Sequence, residues 1–202
     1  MIFVLGSITA TRQTLRRYDR ITNMGRILRR YFIMNAFDGA IIIFGVLFGA
    51  FTVGINDSLH VISLGISTLI AVSLSGFSGA FLTESAERKK EIHDIEQKML
   101  DNIQNSEIVV AYKHAIYFAA IVNALSPLFA GLCILLPFFV INYIQISIFS
   151  AYLASFILSF TIFFALGSYL GKMTHENLLI SGLKMLAVGV ICAVLNWAIL
   201  PK

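Results

Sequence analysis

Charge is scarce in this chain. Only 13% of its 202 residues are Asp, Glu, Lys or Arg, against 58% hydrophobic, and the mean hydropathy is +0.84. Soluble domains carry about a quarter charged residues, so a soluble globular protein is excluded and no large extramembrane domain fits. Cysteine is scarce too. Cys133 and Cys192 both fall in apolar runs, with neither zinc-ligand spacing nor the density of a disulfide framework, and both read as packing residues. There is no Walker A loop, no H-E-x-x-H and no G-x-S-x-G, which removes ATP-driven pumping and two common hydrolase chemistries. Membrane phosphotransferases hold metals with several aspartates on adjacent turns, but no further Asp follows Asp38-Gly39 in its run. The chain is therefore expected not to be an enzyme. A cleavable signal is also lacking, because the opening MIFVLGSITA is apolar but short and has no basic residues before it. It is expected to lie at a surface or membrane interface. The net charge of +4 does not signal nucleic acid, since the basic residues flank apolar runs, where they set orientation.

What the chain does have is five apolar runs of membrane-crossing length, at about 31–54, 59–83, 109–137, 143–170 and 178–199. The expected fold class is an all-α integral membrane protein with five transmembrane helices. The expected organisation is a basic N-terminal segment (1–30), spans one and two (31–83), an acidic amphipathic helix and connector (84–108), and spans three to five (109–200). Turns are expected at 55–58, 138–142 and 172–177. Pro127 should kink span three and Pro137 should mark its outer end. His60 and Lys184 read as interfacial or snorkelling residues. The first 30 residues hold seven arginines, and the 84–107 and 172–177 stretches carry most of the remaining basic residues. The positive-inside rule then puts the N-terminus and the acidic helix in the cytoplasm and the C-terminus outside. Small size and the lack of a targeting segment suggest a prokaryotic plasma membrane, with membrane lipids as the surrounding partner.

Three features suggest function. Asp38 lies within the first apolar run, where a carboxylate is costly and usually faces a protein interior or a water path. Gly45 and Gly49, and again Gly167 and Gly171, have the spacing that lets a second helix come close. Finally, Glu84 to Glu107 holds seven of the eleven acidic residues. Glu84, Glu87, Glu91, Asp94, Lys98 and Asp101 recur at alternating spacings of three and four, which places them on one helical stripe. No Pro or Gly interrupts this stretch, so span two is expected to continue as one helix, ending near Asn102 or Asn105. Carboxylates without partnered cysteines suit hard or borderline divalent cations such as Mg, Ca, Mn or ferrous iron. The acidic stripe would capture the ion and Asp38 would pass it on or carry a proton. The candidate ligands are Asp38, Glu84, Glu87, Glu91 and Asp94, with His93 and Asp101 as secondary ones. The plainer reading is a solvated helix face offset by Arg88, Lys89, Lys90 and Lys98.

Four stretches carry a resemblance to the vacuolar iron transporter family. FDGAIIIFGVLFGAF resembles the family's first span, and SGFSGAFLTESAERKKE resembles the end of its second. ALSPLFAGLCILLPF resembles the third, and LGSYLGKMTHENLLISGLKMLAVGV resembles the fourth-to-fifth connection. The order of these stretches matches as well, over most of 31–200. The resemblance implies a homodimer with a pore near the subunit interface, built largely from the first two spans. It also implies export of manganese or ferrous iron from the cytoplasm in exchange for protons, with the metal and H+ as transported ions and no resident cofactor. Asp38 matches the family's in-membrane Asp, and Glu87 the Glu of its Ser-Glu pair. The chain departs from the pattern where the family has Glu and Met: those positions are Ala80 and Gly76 here, and two hydroxyl positions are Ile42 and Ile43. Glu84, one turn beyond Ala80, is the nearest carboxylate able to substitute. A different class of function would be a non-transporting dimeric membrane scaffold whose acidic helix docks a cytoplasmic partner.

Overall fold

The computed structural model describes residues 24–99, 106–144 and 147–199. Its elements are all helices: α1 (Met24–Val53), α2 (Ser58–Met99), α3 (Glu107–Ile144), α4 (Ile148–Thr174) and α5 (Leu178–Ile199). All five are long and apolar enough to cross a membrane, as the five apolar runs require. The segment before residue 24, Asp101 and the helix end expected at Asn102 or Asn105 lie outside the described residues.

The helices outrun the apolar runs that announced them. Hydropathy marks the part of a helix matched to hydrocarbon, whereas the backbone stays helical until something stops it. Thus α1 starts at Met24 and α2 runs unbroken to Met99. The third connection is a correction. Pro137 does not end span three, and α3 continues through it to Ile144. Buried Phe138 and Ile141 hold the last turns, and a helix in a membrane tolerates the missing donor where neighbours replace it. Residues 138–142, where a turn was expected, are therefore helical. Ser147 then caps α4, its side chain accepting from the Ser150 N–H.

The other turns are set by local chemistry. Gly54 takes φ +77°. This lets its own N–H reach the Phe51 carbonyl (3.1 Å) and that of Ile55 reach the Ala50 carbonyl (3.0 Å), the Schellman ending of a helix. Asp57 then caps α2, accepting from the Leu59 N–H at 2.9 Å and pairing with His60. The Leu59 and His60 hydrogen bonds hold its carboxyl below the ordinary value.

The described residues form two compact units. One contains Ser75–Asn123 together with α1 up to Phe32, and the other contains Ile33–Leu74 and the chain from Ala124 onward. In the second unit α1 buries one stripe: Ala36, Ala40, Ile43, Phe44, Leu47 and Ala50. Phe44 lies edge-on to Phe156, Phe160 and Phe163 of α4 at 5.5–5.9 Å. Lipid is as apolar as these side chains, so their association depends on close fit and not on escape from water. Glycine supplies the fit. A Cβ on Gly39 would stand 2.4 Å from Pro127 Cα, and one on Gly167 would stand 2.6 Å from the Ser181 carbonyl. The pair Gly167 and Gly171 therefore seats α5 on α4. The pair Gly45 and Gly49 has nothing within 4 Å and is left open.

Gly39→Ala should lower the stability of the purified protein by about 1–3 kcal/mol, the usual cost of overpacking. Gly45→Ala should leave it unchanged to within about 0.5 kcal/mol. Thermal unfolding of both variants in one detergent checks the contrast.

Candidate functional site

Within its unit, Asp38 lies on the exposed face of α1. A helix turns about 100° per residue, which puts Asp38 half a turn from the buried stripe of α1. Its side chain belongs to an exposed residue. Met34 (51% exposed), Ile42, Gly45 and Gly49 share its face. One carboxylate, one thioether and two open glycines thus lie along a single outward stripe of an apolar helix. Among the described residues, no three His, Cys, Asp or Glu side chains converge to hold a metal ion.

In the other unit, α2 and α3 run antiparallel in a register fixed by three contacts. The Asn123 side-chain amide donates to the Gly76 carbonyl at 2.6 Å. The Phe81 and Tyr117 rings lie 5.6 Å apart, and the Arg88 guanidinium sits 5.1 Å from the Tyr112 ring centre. Gly76 thus marks a close approach: a Cβ there would meet Asn123 at 3.2 Å.

Next to Ala80, itself buried, the acidic stripe takes on two characters. Glu84 is 2% exposed. Its Oε1 accepts from the Tyr31 hydroxyl at 2.7 Å, and its Oε2 lies 3.3 Å from Arg88 Nη2. Arg88 is also buried and donates from Nη1 to Glu91 Oε2 at 2.6 Å. Glu87 and Asp94 are exposed, as is His93, whose ring is in contact with Gln97. The stripe is therefore not a row of equal ligands. Glu84 and Glu91 hold Arg88, whereas Glu87 and Asp94 face outward. The Glu84–Arg88 and Arg88–Glu91 spacings of four and three were readable as helix pairs. Tyr31, 53 positions from Glu84, left no signal in the sequence.

The model of the VIT family matches residues 29–117. That stretch contains all the candidate ligands named above. An uncharacterised protein of Methanocaldococcus jannaschii is 30% identical over 176 residues, which cover 84% of this chain and 88% of that protein. No solved structure matches.

Arg88→Leu should destabilise the protein by about 3–5 kcal/mol, because it leaves a buried carboxylate without its cation. Adding Glu84→Leu should restore most of the loss. The two variants and their combination, compared by thermal unfolding, measure the coupling.

Proposed function

The chain belongs to the VIT (vacuolar iron transporter) family of membrane metal-ion transporters, and from that premise we propose that it exports manganese or ferrous iron from the cytoplasm, in exchange for protons, as a homodimer. The observation that carries this reading is the outward position of Asp38 on an apolar helix. A lone carboxylate facing hydrocarbon is expensive, by about 2.5–3.5 kcal/mol on insertion scales and more in simulation. A two-fold axis near Asp38 removes that cost by turning the carboxylate toward its copy and a shared, hydrated path. The open pair Gly45 and Gly49 on the same face supports close approach of that second α1. Two Asp38 carboxylates make a hard-oxygen site that suits Mn2+ or Fe2+, and each can carry a proton when the metal has left. Met34, one turn away, adds a softer donor.

Glu87, Glu91 and Asp94 are the capture ligands in this reading, with His93 beside them. Glu84 would reach a metal ion only by giving up Tyr31 and Arg88. The arginines before α1 and the lysines of α2 support a cytoplasmic N-terminus and acidic helix, with the C-terminus on the far side. They fit a prokaryotic plasma membrane.

In proteoliposomes, Mn2+ and Fe2+ flux should rise with an imposed pH gradient, and Asp38→Asn should abolish it while the protein stays folded and dimeric. Unchanged flux in Asp38→Asn would sink the role of Asp38. No flux of either metal from folded, dimeric wild-type protein would leave the scaffold reading in its place. Separately, Gly45→Leu with Gly49→Leu should shift the dimer to monomer in cross-linking or light scattering without lowering the unfolding temperature of the protomer. A dimer that persists would place the interface elsewhere.

A further inference from the structure

Between α2 and α3, beside the aromatic contact of Phe81 with Tyr117, lies a cavity of about 590 Å³. This is within the range of small-molecule sites. Its walls change character along the helix axis. At one end lie Phe81 and Ile116, in the apolar parts of α2 and α3, flanked by the exposed Leu82 and Tyr117. Past them lie Arg88 and Lys89, beyond the apolar run of α2, and Lys113, near the start of that of α3, with Ile92 and Val109 also in the wall. The cavity therefore spans the level at which α2 leaves its apolar run.

The charges at the polar end are unbalanced within the cavity. Arg88 is about nine-tenths buried, and its two Nη groups are taken by Glu84 and Glu91, neither of which lines the cavity. Its Nε is shielded from solvent and has no hydrogen-bond partner among the described residues. A buried donor left unpaired is costly. Lys89 and Lys113 are exposed and have no ion-pair partner among the described residues. Among the described residues no acidic side chain lines the cavity, and the basic groups there favour an anion over a metal ion. An anion with an apolar tail fits both ends.

We propose that this cavity binds an anionic phospholipid, its phosphate held by Arg88 Nε, Lys89 and Lys113 and its acyl chains running along Phe81, Leu82 and Ile116. Basic pockets between membrane helices take anionic headgroups in this way. The long lysine side chains reach a phosphate from the polar end while their methylenes cover the apolar wall. Bound there, the lipid would tie α2 to α3 where the polar extension of α2 begins. This site is independent of the transport reading and does not require it.

The test is native mass spectrometry of the purified full chain, titrated with phosphatidylglycerol, with phosphatidylcholine, and with phosphatidylglycerol in competition with inorganic phosphate. Phosphatidylglycerol should bind once per protomer and outlast phosphatidylcholine. Lys89→Gln with Lys113→Gln should weaken it by roughly 30-fold, whereas Lys90→Gln with Lys98→Gln, which removes equal charge from outside the cavity, should change it by less than about threefold. Equal losses in the two double variants would overturn the proposal in favour of general surface attraction. Equal binding of phosphatidylcholine would make the cavity a plain apolar groove, and displacement by inorganic phosphate would make its occupant a soluble anion. Either result also overturns it.

Discussion

In hydrocarbon an apolar side chain gains little by leaving its surroundings, so these helices are held by how closely their backbones can approach. That constraint explains where the glycines fall. Gly39 lies against Pro127, Gly65 against Leu135, Gly131 against Leu69, and Gly167 against Ser181 and Gly182. At each place a methyl group would occupy space already filled by the neighbouring helix. Phenylalanine completes the contact, with Phe44 set edge-on among three rings of α4. The large residues left exposed along α2 and α5 need no such fit, because lipid contacts them as well as protein would.

The same solvent divides the polar residues into two groups. Tyr31, Glu84, Glu91 and the two Nη groups of Arg88 pair with one another, so most of their cost is met locally, with Arg88 Nε left over. Asp38 is an exposed residue on the face of α1 opposite its buried stripe. A carboxylate on an apolar helix is expensive unless it faces a protein interior or water, and under the proposed function a second copy packed on the open glycines would supply that surrounding.

The pattern of departures from the family becomes physical at Gly76 and Ala80. Gly76 faces Asn123, whose amide donates to its carbonyl. A long thioether at this position would have to displace that contact. Ala80 is buried at 7% exposure, one turn before a Glu84 already engaged by Tyr31 and Arg88. At Gly76 a larger residue therefore needs Asn123 to move. The thioether on the Asp38 face is that of Met34, on α1 itself.

Hydropathy marked the five helices and their order, and the absence of Pro and Gly after Thr83 signalled the continuation of α2, because each depends on composition within one segment. It misplaced the turn before α4, since Pro137 was read as a stop when the packing of Phe138 and Ile141 carries the helix through it. The amino-acid pattern also singled out Asp38 and both glycine pairs, but it had no means of telling the pairs apart. Gly167 and Gly171 are filled by Ser181 and Gly182, whereas Gly45 and Gly49 face open space. Likewise a three-and-four spacing put Glu84, Glu87, Glu91 and Asp94 on one stripe, yet only tertiary structure separated the two that clamp Arg88 from the two that face outward. Spacing along a helix is a local property that any sequence displays. Which side of that helix another one covers is decided by contacts between residues far apart in the chain, such as Tyr31 with Glu84.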